Sequence, residues 1–440
     1  MADDAIKGLT PDEQKATAAR FIEQDLQRSQ PVENPRAIIT GGQPGSGKSY
    51  VVESVGVQFE GMGGVIVIDP DVIRPKLPYM KDLIAAGSLD IPDAAYIDAG
   101  TIAHEMVQIA KQERRNVIVD GTLANTDRAI QLAEGFQKAA YKVEFHGVAV
   151  SPELSHARTY SRREDQIAKS DTGFGRGVGD DFHFGAVKGY VSSVEALQTK
   201  SAVNSMALYY PNGSKIETKL EGGQWVPAVS MKEKLEQAHA QPAPEILKAA
   251  VQTWDVASNA MRAREAPRDE QAKVDGFRAA VSAKAPAPTP AEQADRFDAA
   301  VAAECKGIVK RANRLEGQLQ ERLERTQQAR AETIAAKPSG PKWMPGAAKA
   351  LATWDAQQRV QFQAVADTIS RIDRVAPYTQ APIPGYPSKV EEMAFKKVER
   401  REPQMAKEAM AFRETERQQQ ARAFSESRSQ QQAAGQKLSR

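Results

Sequence analysis

A glycine-rich turn constrains this chain more than any other feature. It fits the pattern G-x-x-x-x-G-K-[ST] of a nucleotide-binding phosphate loop, through Gly42, Gln43, Pro44, Gly45, Ser46, Gly47, Lys48 and Ser49. A predicted strand over residues 37–40 precedes the turn and a predicted helix over residues 50–58 follows it, which is the context that the motif needs. Glycine allows the unusual dihedrals and the close backbone approach by which several N–H groups converge on phosphate oxygens. We therefore expect this turn to bind a nucleoside triphosphate.

Two side chains at the end of the motif have the chemistry for ATP and magnesium. Lys48 is placed to reach the β- and γ-phosphates, and the Ser49 hydroxyl to ligate the Mg²⁺ that bridges them. A glycine-rich surface turn is the structural alternative, but such a turn needs neither the strand before it nor the helix after it. ATP and Mg²⁺ are therefore the predicted cofactors.

The composition of the whole chain argues against several classes of protein. Its 440 residues are 41% hydrophobic and 26% charged, an ordinary globular content with room for two or three domains. The net charge of +2 gives no excess that would favour nucleic acid or a membrane as partner. Cys305 is the single cysteine, so no internal disulfide forms, and no run approaches the ~18 apolar residues of a membrane span. Because the N-terminus is acidic, without the pattern of a signal peptide, we expect a soluble, cytoplasmic protein.

Strands and helices are predicted to alternate after the phosphate loop. Apolar runs typical of strands buried on both faces cover residues 64–68, 116–119 and 143–150, and amphipathic helices cover residues 101–113 and 126–140. This alternation predicts an α/β fold, a phosphate-loop kinase fold with a mostly parallel sheet. We place this domain at residues 35–230, after an N-terminal helix within residues 1–34.

The composition changes beyond residue 243. Alanine, glutamine, glutamate and arginine dominate, strand-forming residues are few, and proline-rich stretches interrupt the sequence. We therefore predict a mainly α-helical region with proline-rich linkers over residues 243–403. Residues 404–440 are rich in glutamine, arginine and serine, and we expect them to form a disordered tail.

Three aspartates, Asp69, Asp71 and Asp120, follow the ends of predicted strands. Ligands of open parallel sheets bind at this edge. A kinase acting on a hydroxyl needs a carboxylate that orients the hydroxyl and accepts its proton. Asp71 fits that role, whereas Asp69, nearer the strand, is a candidate for organising magnesium or the loop, and the sequence does not rank the two. Asp120 is a candidate for either magnesium or substrate.

Positive charge is predicted to close over the transferring phosphoryl group. Arg162 and Arg163 lie on the helix beyond the fourth strand, and Arg176 lies in the glycine-rich segment from Asp171 to Asp181. We expect that segment to be a mobile lid that brings the arginines to the phosphates. The structural alternative is a solvated basic face of the helix.

Five motifs in order resemble the zeta toxin family of bacterial toxin–antitoxin systems. They fall between about residues 35 and 213 and read GGQPGSGKS, VIVIDPD, VIVDGTLANTD, PELS and a spaced arginine pair. Members of that family are phosphate-loop kinases that phosphorylate the 3′-hydroxyl of the sugar in UDP-N-acetylglucosamine and so poison cell-wall precursor synthesis. The resemblance implies the same reaction here, and a small helical antitoxin protein as partner.

The resemblance also implies a role for each matching residue. It implies Lys48 and Ser49 for ATP and magnesium and Asp71 as the base. Arg162 and Arg176 match the phosphate-clamping arginines of the family.

Substrate-binding residues are implied in the same way. Thr122 matches a substrate-binding hydroxyl, and Asp120 stands where family members often have glutamate. A glutamate on the preceding helix falls opposite His104, one residue from Glu105, which we take as its counterpart.

Two alternatives to this function stay open. The same fold can act on another hydroxyl, such as that of a different nucleotide sugar or of a dinucleotide ribose. Alternatively the helical half is an interaction or delivery module, of a secreted or conjugation-linked effector, and the kinase domain is its cargo.

Overall fold

The computed structural model of the protein describes residues 7–85, 92–171, 173–339, 345–383 and 388–438. The chain divides into two compact units. The first comprises residues 1–257 and 274–286, and the second residues 258–273 and 287–440.

A seven-stranded sheet forms the centre of the first unit. Its strands in spatial order are β2 Ile66–Ile68, β3 Val117–Val119, β1 Arg36–Gly41, β4 Lys142–Val148, β5 Ser205–Tyr209, β6 Lys215–Glu221 and β7 Gln224–Val226. The first five run parallel to their neighbours, and the last two pair antiparallel. The predicted α/β fold with a mostly parallel sheet is confirmed.

Helices surround this sheet and continue beyond it. Along the chain they are α1 Pro11–Arg28, α2 Lys48–Gly56, α3 Pro70–Ile73, α4 Pro78–Ala85, α5 Asp93–Gln112, α6 Thr126–Lys138, α7 Pro152–Lys169, α8 Asp180–Thr199, α9 Met231–Ala240, α10 Pro244–Arg264 and α11 Arg268–Ser282. Their termini follow from local sequence. Thr10 and Glu13 form a capping box at the start of α1, and Ser151 caps α7, because each side chain satisfies a free N–H group of the first turn.

The prediction that β2 is buried on both faces is wrong. Its central residue, Val67, is 42% exposed, while Ile66 and Ile68 are fully buried. The reason is that β2 lies at the edge of the sheet, paired only with β3. An apolar run in the sequence does not distinguish an edge strand from a central one.

The first unit of the structure continues past residue 230, where we placed the end of the kinase domain. Met231 and Leu235 of α9 are fully buried in the core of the first unit. Trp254 of α10, also fully buried, stacks on Phe277 of α11 with ring centroids 5.5 Å apart. The centroid of the same tryptophan ring lies 5.2 Å from that of the His156 ring on α7. Helices α10 and α11, from the region that we predicted to be a separate helical half, therefore pack on the helix that carries Arg162.

The second unit is helical, as predicted. Its long helices are α12 Pro290–Ala335, α13 Ala347–Val375, α14 Lys389–Arg401 and α15 Pro403–Leu438. Phe297 of α12 and Phe395 of α14 meet edge to face at 5.1 Å. Cys305 lies buried in the same seam, and burial raises the pKa of its thiol.

The segment from residue 404, which we predicted to be disordered, is ordered at its start. Residues Met405, Ala406 and Ala409 of α15 are buried against Phe297 and Val398. The apolar residues at this spacing give α15 a buried face, which the glutamine-rich composition farther along conceals. In the described part of the chain, no helix is long and apolar enough to cross a membrane.

Candidate active site

The phosphate loop lies between the end of β1 and the start of α2. Gly42, Gly45 and Gly47 have φ angles of +151°, +78° and +95°, which side chains rarely allow. A Cβ atom on Gly45 would stand 2.1 Å from the carbonyl oxygen of Ser155 on α7, closer than any contact permits. Glycine is therefore required at position 45 both by the backbone and by the space.

Side chains of α7 and α8 support the loop from behind. Gln43 is fully buried, and its amide donates to the carbonyl oxygen of Val150 at 2.9 Å and to Ser155 Oγ at 3.2 Å. His183 Nε2 lies 3.1 Å from the same Ser155 hydroxyl. Burial lowers the pKa of His183 to about 4, so this ring is neutral at pH 7. The side chain of Gln43 thus anchors the loop, and only its backbone is left for a nucleotide.

Lys48 lies within the loop that it closes. Its ammonium group donates to the carbonyl oxygen of Gly42 at 2.9 Å. Burial lowers the pKa of Lys48, while the carboxylates of Asp120, Asp71 and Asp69 act to raise it. The loop lysine therefore stands among all three predicted acids.

Asp69 and Asp120 are neighbours at the ends of β2 and β3. Asp69 caps α3 by accepting from the backbone N–H of Asp71 at 2.7 Å, and Asp120 accepts from the Thr40 hydroxyl at 2.5 Å. Burial, with the negative charge of Asp120, raises the pKa of Asp69 to about 6. Because the charge of Asp120 acts on Asp69, a cation beside this pair of carboxylates would be favoured.

In contrast to Asp69, Asp71 is surrounded by positively charged side chains. Arg74 Nη2 lies 2.7 Å from one carboxylate oxygen, and Arg176 Nη1 lies 3.3 Å from the other. Burial acts to raise the pKa of Asp71, but Arg176, Arg74 and Lys48 outweigh it and hold the pKa below its ordinary value. The structure thus separates the two acids that the sequence left unranked, because Asp71 is ionised and paired while Asp69 is poorly compensated.

Arg162 completes the charge arrangement from α7. Burial and the charge of Arg176 lower its pKa, and Asp71 and Asp69 oppose that shift. Its Nε atom is buried without a hydrogen-bond partner in the described structure. Arg162 and Arg176 thus approach the acids from α7 and from the segment that follows it.

Comparison with known proteins agrees with this geometry. The zeta toxin family profile matches residues 21–219. Among curated relatives, the zeta toxin of Enterococcus hirae is 29% identical over 215 residues, which are 49% of this chain and 73% of the relative. Residues 21–219 of this chain are thus similar to the zeta toxin family.

The comparisons also found a second toxin relative and a solved structure. The zeta toxin of Streptococcus pyogenes is 28% identical over 49% of this chain and 72% of its own. A solved chain from the PezAT toxin–antitoxin system of Streptococcus pneumoniae is 21% identical with a TM-score of 0.48, covering 57% of this chain and 99% of that one. The second, helical unit lies outside the family match.

The other predicted site residues are Thr122, Glu105 and Ser49. Thr122 is half-buried in the segment after β3, and Glu105 is half-buried on α5. Within the described ranges, neither side chain makes a hydrogen bond or ion pair, so their substrate roles stay predictions. Ser49 is exposed in the first turn of α2, as a magnesium ligand would be.

Arg74 was missed by the sequence reasoning. It is 8% exposed, its guanidinium stacks on the Tyr96 ring at 4.0 Å, and it pairs with Asp71. The signal for it was the spacing, because residues three apart face each other on a helix. Nothing in a phosphate-loop motif marks that position.

The site around the phosphate loop fits a magnesium nucleotide. Ser46 Oγ and Arg162 Nε are buried polar atoms without protein partners in the described structure, and Asp69 is a carboxylate without adequate positive charge. Among the described residues, no cluster of three or more His, Cys, Asp or Glu side chains forms a metal site. Magnesium would therefore depend on Ser49, one or two carboxylates and the oxygens of the nucleotide itself.

Proposed function

We propose that residues 21–219 form a zeta toxin kinase domain, and that this zeta toxin domain transfers the γ-phosphoryl group of ATP to a sugar hydroxyl of a nucleotide sugar, with the 3′-hydroxyl of UDP-N-acetylglucosamine as acceptor. One observation carries the reaction class: Asp71 lies ionised beside the phosphate-loop lysine, with a lid arginine on its carboxylate. A switch ATPase needs a positioned water, whereas a kinase needs a carboxylate that receives the hydroxyl. The acceptor itself is supported by the family alone.

Each group of site residues has its own role in the proposed phosphoryl transfer. Loop N–H groups and Lys48 hold the phosphates, and Arg162 and Arg176 offset the charge that develops on the transferring group. Ser49 with Asp69 or Asp120 would hold magnesium, which would supply further positive charge to the phosphates. Asp71 orients the acceptor hydroxyl and takes its proton as the new O–P bond forms and the bond to the β-phosphate oxygen breaks, leaving ADP.

The pairing of Asp71 sets how strong a base it is. While Arg176 and Arg74 hold its carboxylate, Asp71 is a weak proton acceptor. If Arg176 turns to the γ-phosphate, one of the two positive charges leaves, and the pKa of Asp71 rises toward that of a better base. Most of the catalysis then comes from positioning and charge, because phosphoryl transfer has a loose transition state.

A direct assay tests the proposal. The purified full chain is incubated with ATP, Mg²⁺ and one candidate acceptor at a time, and products are identified by mass spectrometry and ³¹P NMR. We expect a phosphorylated UDP-N-acetylglucosamine with wild-type protein and none with Lys48→Ala. Phosphorylation of a different nucleotide sugar, or of a dinucleotide, would keep the kinase and replace the acceptor. ADP release without any phosphorylated acceptor would overturn the proposal.

We also propose that a small antitoxin protein binds this domain. Support comes from the relatives, which carry the names zeta toxin and PezT toxin. Induction of the full chain in bacterial cells is expected to arrest growth, and co-expression of the antitoxin is expected to restore it. Equal arrest by wild type and Lys48→Ala would show that growth inhibition does not depend on the kinase site.

A further inference from the structure

Arg158 of α7 lies against the phosphate loop. Its Nη1 atom is 3.7 Å from the position that a Cβ atom on Gly47 would take. Gly47 is the N-cap residue of α2, so the guanidinium group stands beside the N-terminus of that helix. No part of the motif pattern or of the family resemblance assigned this residue.

In the part of the chain that the structure describes, the Arg158 guanidinium has no protein partner. Among the described residues, no hydrogen bond or ion pair reaches Arg158, although it is half-buried. Burial alone lowers its pKa. The nearby end of α2 carries partial positive charge, which repels a guanidinium. An anion between the guanidinium group and the loop would stabilise a half-buried arginine in such surroundings.

Arg158 and Arg162 share one face of α7. Residues four apart on a helix lie about 6 Å apart along its axis and point the same way. Arg162 faces Asp71 and Asp69, where the γ-phosphoryl group is transferred. Arg158 faces Gly47, in the part of the loop whose N–H groups cradle the α- and β-phosphates.

We infer that Arg158 is a nucleotide-binding residue that contacts the α- or β-phosphate, one helical turn from the arginine that serves the γ-phosphate. This inference rests on the proposed use of ATP by the same loop. It assigns α7 a further task, since two of its arginines would bind successive parts of one phosphate chain. Both ADP and ATP then need Arg158, whereas Arg162 matters mainly for ATP.

Measurements of nucleotide binding distinguish the proposed role of Arg158 from that of Arg162. Calorimetry on the full chain with ADP, and then with ATP, compares wild type with Arg158→Ala. Loss of one charge-assisted contact is expected to weaken both nucleotides about tenfold or more. Arg162→Ala is expected to weaken ATP more than ADP. Lys169→Ala is the matched control, because Lys169 is a 75% exposed cation near the end of the same helix and pairs with Asp165.

Further measurements keep the inference testable if Arg158→Ala folds poorly. Arg158→Lys keeps the charge without the planar fork, so an intermediate affinity is expected. Pyrophosphate as competitor distinguishes the phosphates from the base, and its binding is expected to weaken in parallel with that of ADP. Unchanged pyrophosphate binding with weakened ADP binding would place Arg158 at the base and overturn the inference, as would ADP binding equal to that of Lys169→Ala.

The result also distinguishes this inference from the proposed function. A wild-type protein that binds neither nucleotide overturns both. A wild-type protein that binds ADP through Arg158 and transfers no phosphoryl group overturns the proposed function and leaves the inference standing.

Discussion

Asp71 is surrounded by cations from three parts of the sequence, and these determine how it acts on a hydroxyl. Asp71→Asn preserves the shape of the side chain and removes the basic oxygen. Turnover is expected to fall ~100-fold or more while ATP affinity changes little. Asp69→Asn is the matched variant, and it is expected to raise the magnesium requirement instead, since Asp69 lies next to Asp120. Rate measurements across a magnesium titration compare the two, and full rescue of Asp71→Asn by magnesium would contradict the assignment.

Arg74 gives a prediction about pH. It holds the pKa of Asp71 down through a 2.7 Å ion pair. Arg74→Met removes that charge, so the pKa of Asp71 rises. Because the ionised carboxylate is the active form, the acidic limb of kcat/KM is expected to move to higher pH. Lys76→Met, two residues away and exposed, is the control and is expected to leave the pH profile unchanged. An acidic limb at the same pH in both variants would argue against Asp71 as the titrating group.

The turn of the phosphate loop leaves no room for a side chain at Gly45. Gly45→Ala is expected to lose ATP binding about tenfold or more, because the methyl group overlaps the Ser155 carbonyl and the φ of +78° costs a further ~1 kcal/mol. Gly61→Ala is the matched control, since Gly61 has a φ of +76° and open space around it. Calorimetric ATP binding tests both variants, and equal losses would show that backbone strain alone is responsible.

Helices α10 and α11 support the element that carries the arginines. Trp254 and Phe277 pack on His156 and Tyr160 of α7, one turn or less from Arg158 and Arg162. Trp254→Ala removes a fully buried aromatic side chain and is expected to destabilise the first unit by about 3–5 kcal/mol. Thermal unfolding of a chain ending at Pro286 measures this. A change below about 1 kcal/mol would mean that this packing contributes little to the stability of the first unit.

The first unit extends past the residues that resemble the toxin family. A chain cut after Pro286 keeps α9, α10 and α11, whereas one cut after Ser230 exposes the core that Met231 and Leu235 cover. We expect the longer piece to keep nucleotide binding and the shorter one to unfold at lower temperature or aggregate. Equal melting temperatures and activities for both pieces would restore the boundary at residue 230.

Local patterns and distant contacts differ in what the sequence reveals. The phosphate loop, β1 and α2 were predictable because glycine positions and capping residues act within a few positions. The ranking of Asp69 and Asp71 was not, since it depends on Arg176, which is 105 residues away along the chain. Trp254 gave no signal either, because an amphipathic helix does not specify which surface it covers. The features that the motifs did not predict therefore depend mostly on contacts between residues far apart in the sequence.

The contact between Arg176 and Asp71 bears on the order in which substrates bind. An arginine that lies 3.3 Å from the carboxylate occupies the space where an acceptor hydroxyl would hydrogen-bond. If Arg176 leaves Asp71 to clamp the γ-phosphate, ATP has to bind before the acceptor gains full access to this carboxylate. Steady-state kinetics should then show sequential, ordered addition with ATP first, and ADP should compete with ATP alone. Random addition would mean that Arg176 leaves Asp71 without help from the nucleotide.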